Sequence, residues 1–156
     1  DYARAHNNLG IILDYRGLVD DAIVEYLAAL RMQPEDANAH YNLGLAYDNK
    51  GLVDEAVQQL RETIRLKPDD ANAHYNLGVI LGKKGLLKEA IDEYNIAVRL
   101  RPDYAEAYYN LGFALDTANM GNMAVEAYRK FIDCAPPQYA SYVDHARQRV
   151  KDMGNA

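Results

Sequence analysis

The 156-residue sequence contains no tryptophan and only one cysteine, Cys134. A single cysteine excludes an internal disulfide framework. Acidic residues outnumber Lys and Arg by 23 to 17, so the net charge is −6. This disfavours binding to nucleic acid or to anionic membranes, which needs a positive surface field. Apolar runs are only a few residues long, so we expect no membrane insertion and no signal peptide. We predict a folded cytoplasmic protein, with the periplasm as the alternative location.

Nucleophilic side chains are also few. Besides Cys134, the sequence has one serine, Ser141, and two threonines, Thr63 and Thr117. Cys134 lies just before the proline pair Pro136-Pro137, at the end of a predicted helix and with no patterned histidine nearby, and this favours a small buried residue. The sequence has no glycine-rich loop of the kind that binds phosphate. We therefore predict that the protein is not an enzyme and uses no cofactor or metal ion.

The sequence repeats itself every 34 residues. The octet ANAHYNLG occupies residues 37–44 and again 71–78, and the segments 37–70 and 71–104 are identical at 17 of 34 positions. The same step extends to 3–36 and 105–138. It aligns four glycines and four prolines, which are Gly10, Gly44, Gly78 and Gly112, and Pro34, Pro68, Pro102 and Pro136. A period of this length is typical of stacked supersecondary units.

Each unit has the pattern of two helices joined by a short turn. In the second unit, Ala39, Leu43 and Gly44 follow the spacing of one helical face, Gly51 interrupts the chain, and Pro68 ends the pair. No strand alternation is present. We predict an all-α superhelix, or solenoid, of four 34-residue helix-turn-helix units. They span 3–36, 37–70, 71–104 and 105–138, within a single domain over residues 1–156.

The two ends of the array differ. Residues 139–153 do not follow the 34-residue pattern. They carry apolar residues on one helical face and charged residues on the other, which predicts a capping helix. This apolar stripe is Tyr139, Tyr142, Val143, Ala146 and Val150. The beginning of the chain has no such cap, and Asp1-Tyr2 matches the Asp-Tyr pair before Ala105. We expect further repeats upstream in the parent protein, or self-association through this uncapped first repeat.

These columns resemble the tetratricopeptide repeat (TPR) family, in the Leu-Gly pair, the bend glycine, the alanine of the second helix and the closing proline. His6, His40 and His74 stand where that family usually has a large aromatic residue. They lie one repeat apart, about 10 Å on stacked helices, so they are too distant for one metal ion and favour a packing role. Asn119 replaces the bend glycine in the fourth unit, and we expect it to adopt the left-handed conformation.

An asparagine recurs immediately before each Leu-Gly pair. This column resembles the repeats of O-GlcNAc transferase, and the resemblance implies that the asparagines line the inner surface and hold the backbone of an extended peptide. Neighbouring positions on the same helical face follow three to four residues apart. The predicted peptide-binding residues on this concave face are Asn8, Asn42, Asn76, Asn110, Asn38, Asn72, Tyr41, Tyr75, Tyr109, Leu45, Val79, Phe113 and Asp48.

Two structural alternatives stay open for these residues. The asparagines would instead bridge neighbouring repeats, and the tyrosines would pack between them. Lys83 and Arg4 are the only cations on the predicted lining, which disfavours partners held by a terminal carboxylate.

The predicted function is a non-catalytic scaffold that binds a protein or peptide. The alternatives are a substrate-recognition segment of a larger enzyme of the O-GlcNAc transferase type, and a self-assembling structural protein.

Overall fold

The computed structural model describes residues 2–154; Asp1, Asn155 and Ala156, which belong to the predicted 1–156 domain, lie outside the described residues. Within 2–154 the chain is helical between short turns and has no strand. The helices are α1 (Tyr2–Tyr15), α2 (Val19–Met32), α3 (Ala37–Asn49), α4 (Val53–Leu66), α5 (Ala71–Lys83), α6 (Leu87–Leu100), α7 (Ala105–Thr117), α8 (Gly121–Cys134) and α9 (Ala140–Gly154), with a 3-10 turn at Pro137–Tyr139. None of these helices combines the length and apolarity that crossing a membrane requires.

The helix ends follow from local chemistry. Asp36 starts α3, because its carboxylate accepts hydrogen bonds from the N–H groups of Asn38 (2.9 Å) and Ala39 (3.3 Å). Asp70 caps α5 in the same way. At the other end, α2, α4 and α6 stop before residues whose ψ angles are 84°, 83° and 94°. Each of these residues precedes a proline, which disfavours helical backbone in the residue before it.

The bends between paired helices need left-handed backbone. Gly17, Gly51 and Gly85 have φ angles of 77°, 80° and 78°. Asn119 takes the same role in the fourth unit with a φ of 59°. The predicted left-handed conformation of Asn119 is therefore confirmed.

The chain divides into two compact units, Asp1–Ile80 and Leu81–Ala156. In the first unit, a buried cluster joins α2 to α3. It consists of Ala22, Ile23, Tyr26, Leu43 and Ala46. In the second unit, Tyr128 and Phe131 of α8 and Ala146 of α9 are buried. Tyr142, predicted on the apolar stripe of the cap, is nevertheless 48% exposed. The boundaries of the single predicted domain and of its repeats stay predictions.

Tyr26 makes the stability of the first unit sensitive to high pH. The side chain is 1% exposed, and burial, with a smaller contribution from Asp14, raises its pKa from 10.0 to about 12. Because the folded state favours the neutral phenol, this stabilisation is complete below pH 10.0 and is lost as the pH rises toward about 12. We expect Tyr26→Phe to lose less stability than the wild type over that range, measured by urea unfolding. The matched control is Tyr15→Phe, at a tyrosine that is 94% exposed; equal losses in both variants would contradict the prediction.

Candidate functional site

All thirteen predicted peptide-binding residues lie on the first helices of the predicted repeats and are at least partly accessible. Asn8, Asn38 and Phe113 are exposed. The half-buried ones are Tyr41, Asn42, Leu45, Asp48, Asn72, Tyr75, Asn76, Val79, Tyr109 and Asn110. The first unit brings together α1, α3 and most of α5, and thus Asn8, Asn38, Asn42, Asn72 and Asn76. We call these five residues the asparagine face.

Two amides of the asparagine face are bonded to the first helix of the preceding predicted repeat. Asn42 donates from Nδ2 to Oδ1 of Asn7 at 3.1 Å, and Asn76 donates from Nδ2 to the hydroxyl of Tyr41 at 2.8 Å. These bonds fit the structural alternative, in which the asparagines bridge repeats. An amide offers two donors and an acceptor, so one such bond leaves each side chain with capacity for a further partner.

A polar pocket of about 380 Å³ lies at the α1 end of the asparagine face. Its lining is Arg4, Asn7, Asn8, Gln33, Asp36 and Asn38. Lys67 adds a charge beside it, donating from Nζ to Oδ1 of Asn38 at 2.9 Å. Sequence reasoning missed Gln33, Asp36 and Lys67, since none of them lies on a first helix. The one sequence signal that they share is a position within two residues of a repeat proline.

The tyrosine column contributes to packing as well as to the surface. Tyr41 accepts the bond from Asn76. Tyr109 is covered by the cap, with its ring centroid 5.0 Å from that of Tyr142 and its hydroxyl 3.1 Å from Nδ1 of His145. Burial raises the pKa of Tyr109, and Tyr142 adds to the shift. The contacts of Tyr109 therefore favour the alternative in which this tyrosine packs against a neighbouring element of the chain.

The cap also engages acidic residues of α7. Arg149 forms two hydrogen bonds to the carboxylate of Asp116, at 2.8 and 2.9 Å. The hydroxyl of Tyr139 donates to Glu106 at 2.5 Å. Together with Tyr109, these contacts place α9 along the part of α7 that corresponds to the predicted lining.

The histidines bond to the second helix of their own predicted repeat or to the turn that precedes that repeat. Nδ1 of His6 lies 2.6 Å from Glu25, and Nδ1 of His40 lies 2.7 Å from Gln59. Nε2 of His74 lies 3.1 Å from the carbonyl oxygen of Pro68. Among residues 2–154, no three His, Cys, Asp or Glu side chains are grouped so that they hold a metal ion.

Cys134 differs from its predicted environment. It is half-buried rather than buried, because it is the last residue of α8, where the chain leaves the packed helix. Burial is still sufficient to raise the pKa of its thiol.

A second concavity, a groove of about 470 Å³, lies between α6, α7 and α8 in the second unit. Its apolar wall includes Val98, Leu111, Leu115 and Ala127. Ala127 occupies the column in which Gln59 bonds to His40 in the second repeat. Sequence reasoning did not find this groove.

Three family models match the chain. Two are described as tetratricopeptide repeat, over residues 7–71 and 105–137. The third is described as TPR repeat, over residues 83–116. A comparison with curated proteins gives no match.

Solved structures extend the similarity to nearly the whole chain. A structure of MamA is 28% identical, covers 94% of this chain and 92% of its own, and has a TM-score of 0.79. MamA from Desulfovibrio magneticus RS-1 is 24% identical over 99% of this chain and 94% of its own, and its TM-score of 0.82 shows the shared fold. A mutant of the Thermobaculum terrenum O-GlcNAc transferase is 27% identical over 83% of this chain and 26% of its own, with a TM-score of 0.71.

These matches confirm the predicted fold class, an all-α solenoid of helix pairs. They also support a general role in protein interaction. From the three repeat models and the structural similarity we conclude that the chain belongs to the tetratricopeptide repeat family.

Proposed function

We propose that the chain is a non-catalytic scaffold that binds an extended peptide along the concave face of the predicted superhelix. The observation that carries the proposal is the asparagine face. Its amides recur at the 34-residue step, and all of them are accessible. Amide side chains pair with both N–H and C=O groups of a peptide backbone, so they hold an extended chain without reading its sequence.

The neighbouring side chains favour a ligand with both polar and apolar groups. Leu45 and Val79 are half-buried on the same helices and offer apolar contact area. The polar pocket near Arg4 supplies donors and acceptors for backbone groups or polar side chains. We expect a flexible segment of a partner protein to fit this combination.

The double variant Asn42→Ala and Asn76→Ala tests the peptide proposal. We expect it to weaken binding of peptides selected on the wild-type protein by about tenfold or more, since each lost hydrogen bond contributes about 1 kcal/mol. Fluorescence anisotropy measures the affinity, and circular dichroism the helix content. Asn49→Ala, at an exposed asparagine of α3 outside the column, is the matched control and should bind as the wild type does.

A further variant separates binding from bridging. Tyr41→Phe removes the hydroxyl that accepts the Asn76 bond but leaves both amides in place. Because the ring of Tyr41, itself a predicted binding residue, stays in place, we expect this variant to weaken peptide binding much less than the double variant does. If the double variant loses most of its helix content, or if Tyr41→Phe weakens binding as much as the double variant does, the asparagines act as bridges and the peptide proposal is wrong.

We propose self-association through the first repeat as a second function. Its support is a set of exposed apolar side chains, with Leu9, Ile12 and Val24 exposed by 43%, 51% and 62%. Light scattering over a concentration series tests it: a mass that rises with concentration supports self-association, and a constant monomer mass contradicts it. The remaining alternative, a recognition segment of a larger enzyme, is tested by the sequence that flanks the chain.

A further inference from the structure

The groove between α6, α7 and α8 differs in its lining from the matching surface of an earlier repeat. In the second repeat, Nδ1 of His40 lies 2.7 Å from Oε1 of Gln59. The residues at these two positions of the fourth repeat are Tyr108 and Ala127, and both line the groove. A polar pair is thus replaced by an aromatic ring and a methyl group.

A third lining position changes in the same direction. Met123 is 45% exposed and lines the groove one helical turn before Ala127. The earlier repeats have exposed acidic residues at this position, which are Asp21, Glu55 and Glu89. Methionine is flexible and polarizable, and it is common on surfaces that bind apolar partners. Three departures from the repeat pattern therefore meet in one groove.

The wall of the groove belongs to the packed core. Val98 of α6 and Leu111 and Leu115 of α7 line it, and they are exposed by 9%, 4% and 2%. The volume of about 470 Å³ falls within the range of roughly 300–1,000 Å³ that is usual for ligand-binding clefts. The helix pair α7 and α8 packs against both α6 and α9, so the elements that neighbour this pair along the chain are in place and the groove is open beside them.

Charged side chains follow the α8 edge of the groove. Four residues of this edge are exposed, namely Glu126, Arg129, Lys130 and Asp133. Along the helix axis they give negative, positive and again negative charge, at steps of about 5 Å. A partner that carries a cation, an anion and a cation at the same steps complements this edge.

We propose that this groove binds an amphipathic helix of a partner protein, which inserts one large apolar side chain and places a cation, an anion and a cation along α8. Side chains on one face of a helix recur at i, i+3 or i+4, and i+7, so they advance by about 5 Å per step. In an extended peptide, side chains on one face lie about 6.6 Å apart. The third side chain of such a peptide is out of register with Asp133 by about 2–3 Å, so a helix fits the edge better.

Other ligands match the groove less well. A molecule with a single anionic head would be attracted by Arg129 and Lys130. It would also be repelled by Glu126 and Asp133, which lie about one turn away on either side. A helix with charges of both signs satisfies all three steps of the edge.

The groove is separate from the proposed peptide site. None of the residues that line it is among the thirteen predicted peptide-binding residues. The helical partner and the extended peptide therefore use different side chains of the chain.

Fluorescence anisotropy on the full chain tests this binding. The probes are synthetic helical peptides that carry Lys, Glu and Lys along one border of an apolar stripe and differ only in the central anchor, which is Leu, Met, Phe or Trp. We expect a dissociation constant of about 100 μM or lower for at least one anchor. The same peptides with Glu, Lys and Glu should bind about tenfold more weakly, because three exposed ion pairs become three like-charge contacts.

Two variants restore the side chains of the earlier repeats. Ala127→Gln returns the glutamine that the second repeat has at this position, and Met123→Glu returns the acidic residue. Each should weaken binding by about tenfold or more, because a polar group then has to be buried beneath the apolar anchor. The matched control is Met32→Glu, at a methionine of α2 that is 57% exposed, and it should bind as the wild type does. Circular dichroism verifies the fold of each variant.

The proposal is overturned if no anchor binds, if both charge orders bind equally, or if binding is unchanged in every restoring variant that folds. Equal binding of a peptide with proline at its centre would show an extended ligand instead of a helix. The double variant Asn42→Ala and Asn76→Ala should bind the helical peptides as the wild type does. The groove proposal and the extended-peptide proposal therefore fail separately, and a loss of helix binding in that double variant would contradict the groove as the site.

Discussion

Phe131→Ala is expected to lower the free energy of unfolding of the second unit by about 3–5 kcal/mol. Phe131 is 1% exposed, and its ring centroid lies 5.1 Å from that of Tyr109. The ring also faces Tyr139, which precedes α9, at 6.3 Å. Loss of the ring leaves a cavity beneath the cap and removes edge-to-face contacts. Urea unfolding followed by circular dichroism measures the change.

The chain's other phenylalanine provides the control. Phe113 is 57% exposed on α7, so Phe113→Ala should change the free energy of unfolding by less than about 0.5 kcal/mol. Because Phe113 belongs to the proposed peptide-binding set, its replacement should reduce peptide affinity instead. Equal destabilisation by the two substitutions would show that the aromatic cluster under α9 is not the core of this unit.

Gly112→Ala is expected to destabilise the second unit by about 1–3 kcal/mol, although alanine favours helices more than glycine does. A Cβ atom at this position would lie 2.7 Å from Cδ1 and 2.9 Å from Cε1 of Tyr128. Tyr128 is fully buried. To avoid the added Cβ atom, its rigid ring would have to shift against the side chains packed around it. The thermal unfolding midpoint should fall accordingly.

Gly82→Ala is the matched control for this effect, since Gly82 also lies within a helix. There a Cβ atom would lie 3.8 Å from the hydroxyl of Tyr94, an ordinary contact. We expect stabilisation by about 0.5–1 kcal/mol, from the lower backbone entropy of alanine in the unfolded chain. A lower midpoint for Gly82→Ala, or an unchanged one for Gly112→Ala, would contradict this account of the glycine column.

The helices, their bends and their caps follow from the sequence alone. Proline, the capping aspartates and the left-handed residues Gly17 and Asn119 act on backbone within a few residues of themselves, so their effect is visible in a linear pattern. The accessibility of the predicted site residues followed as well, because helical periodicity separates exposed positions from buried ones.

Two features depend on the tertiary structure and are not visible in the sequence. They are the hydrogen bonds between repeats and the exposure of α1 residues such as Leu9. Asn42 reaches Asn7 and Asn76 reaches Tyr41 across 35 residues of sequence, and such pairs depend on how closely two helices approach. Leu9 and Leu43 are the same residue type at the same position of the repeat, yet Leu9 is exposed and Leu43 is buried. The difference is a neighbouring helix, which supplies the packing that a residue's own repeat does not contain.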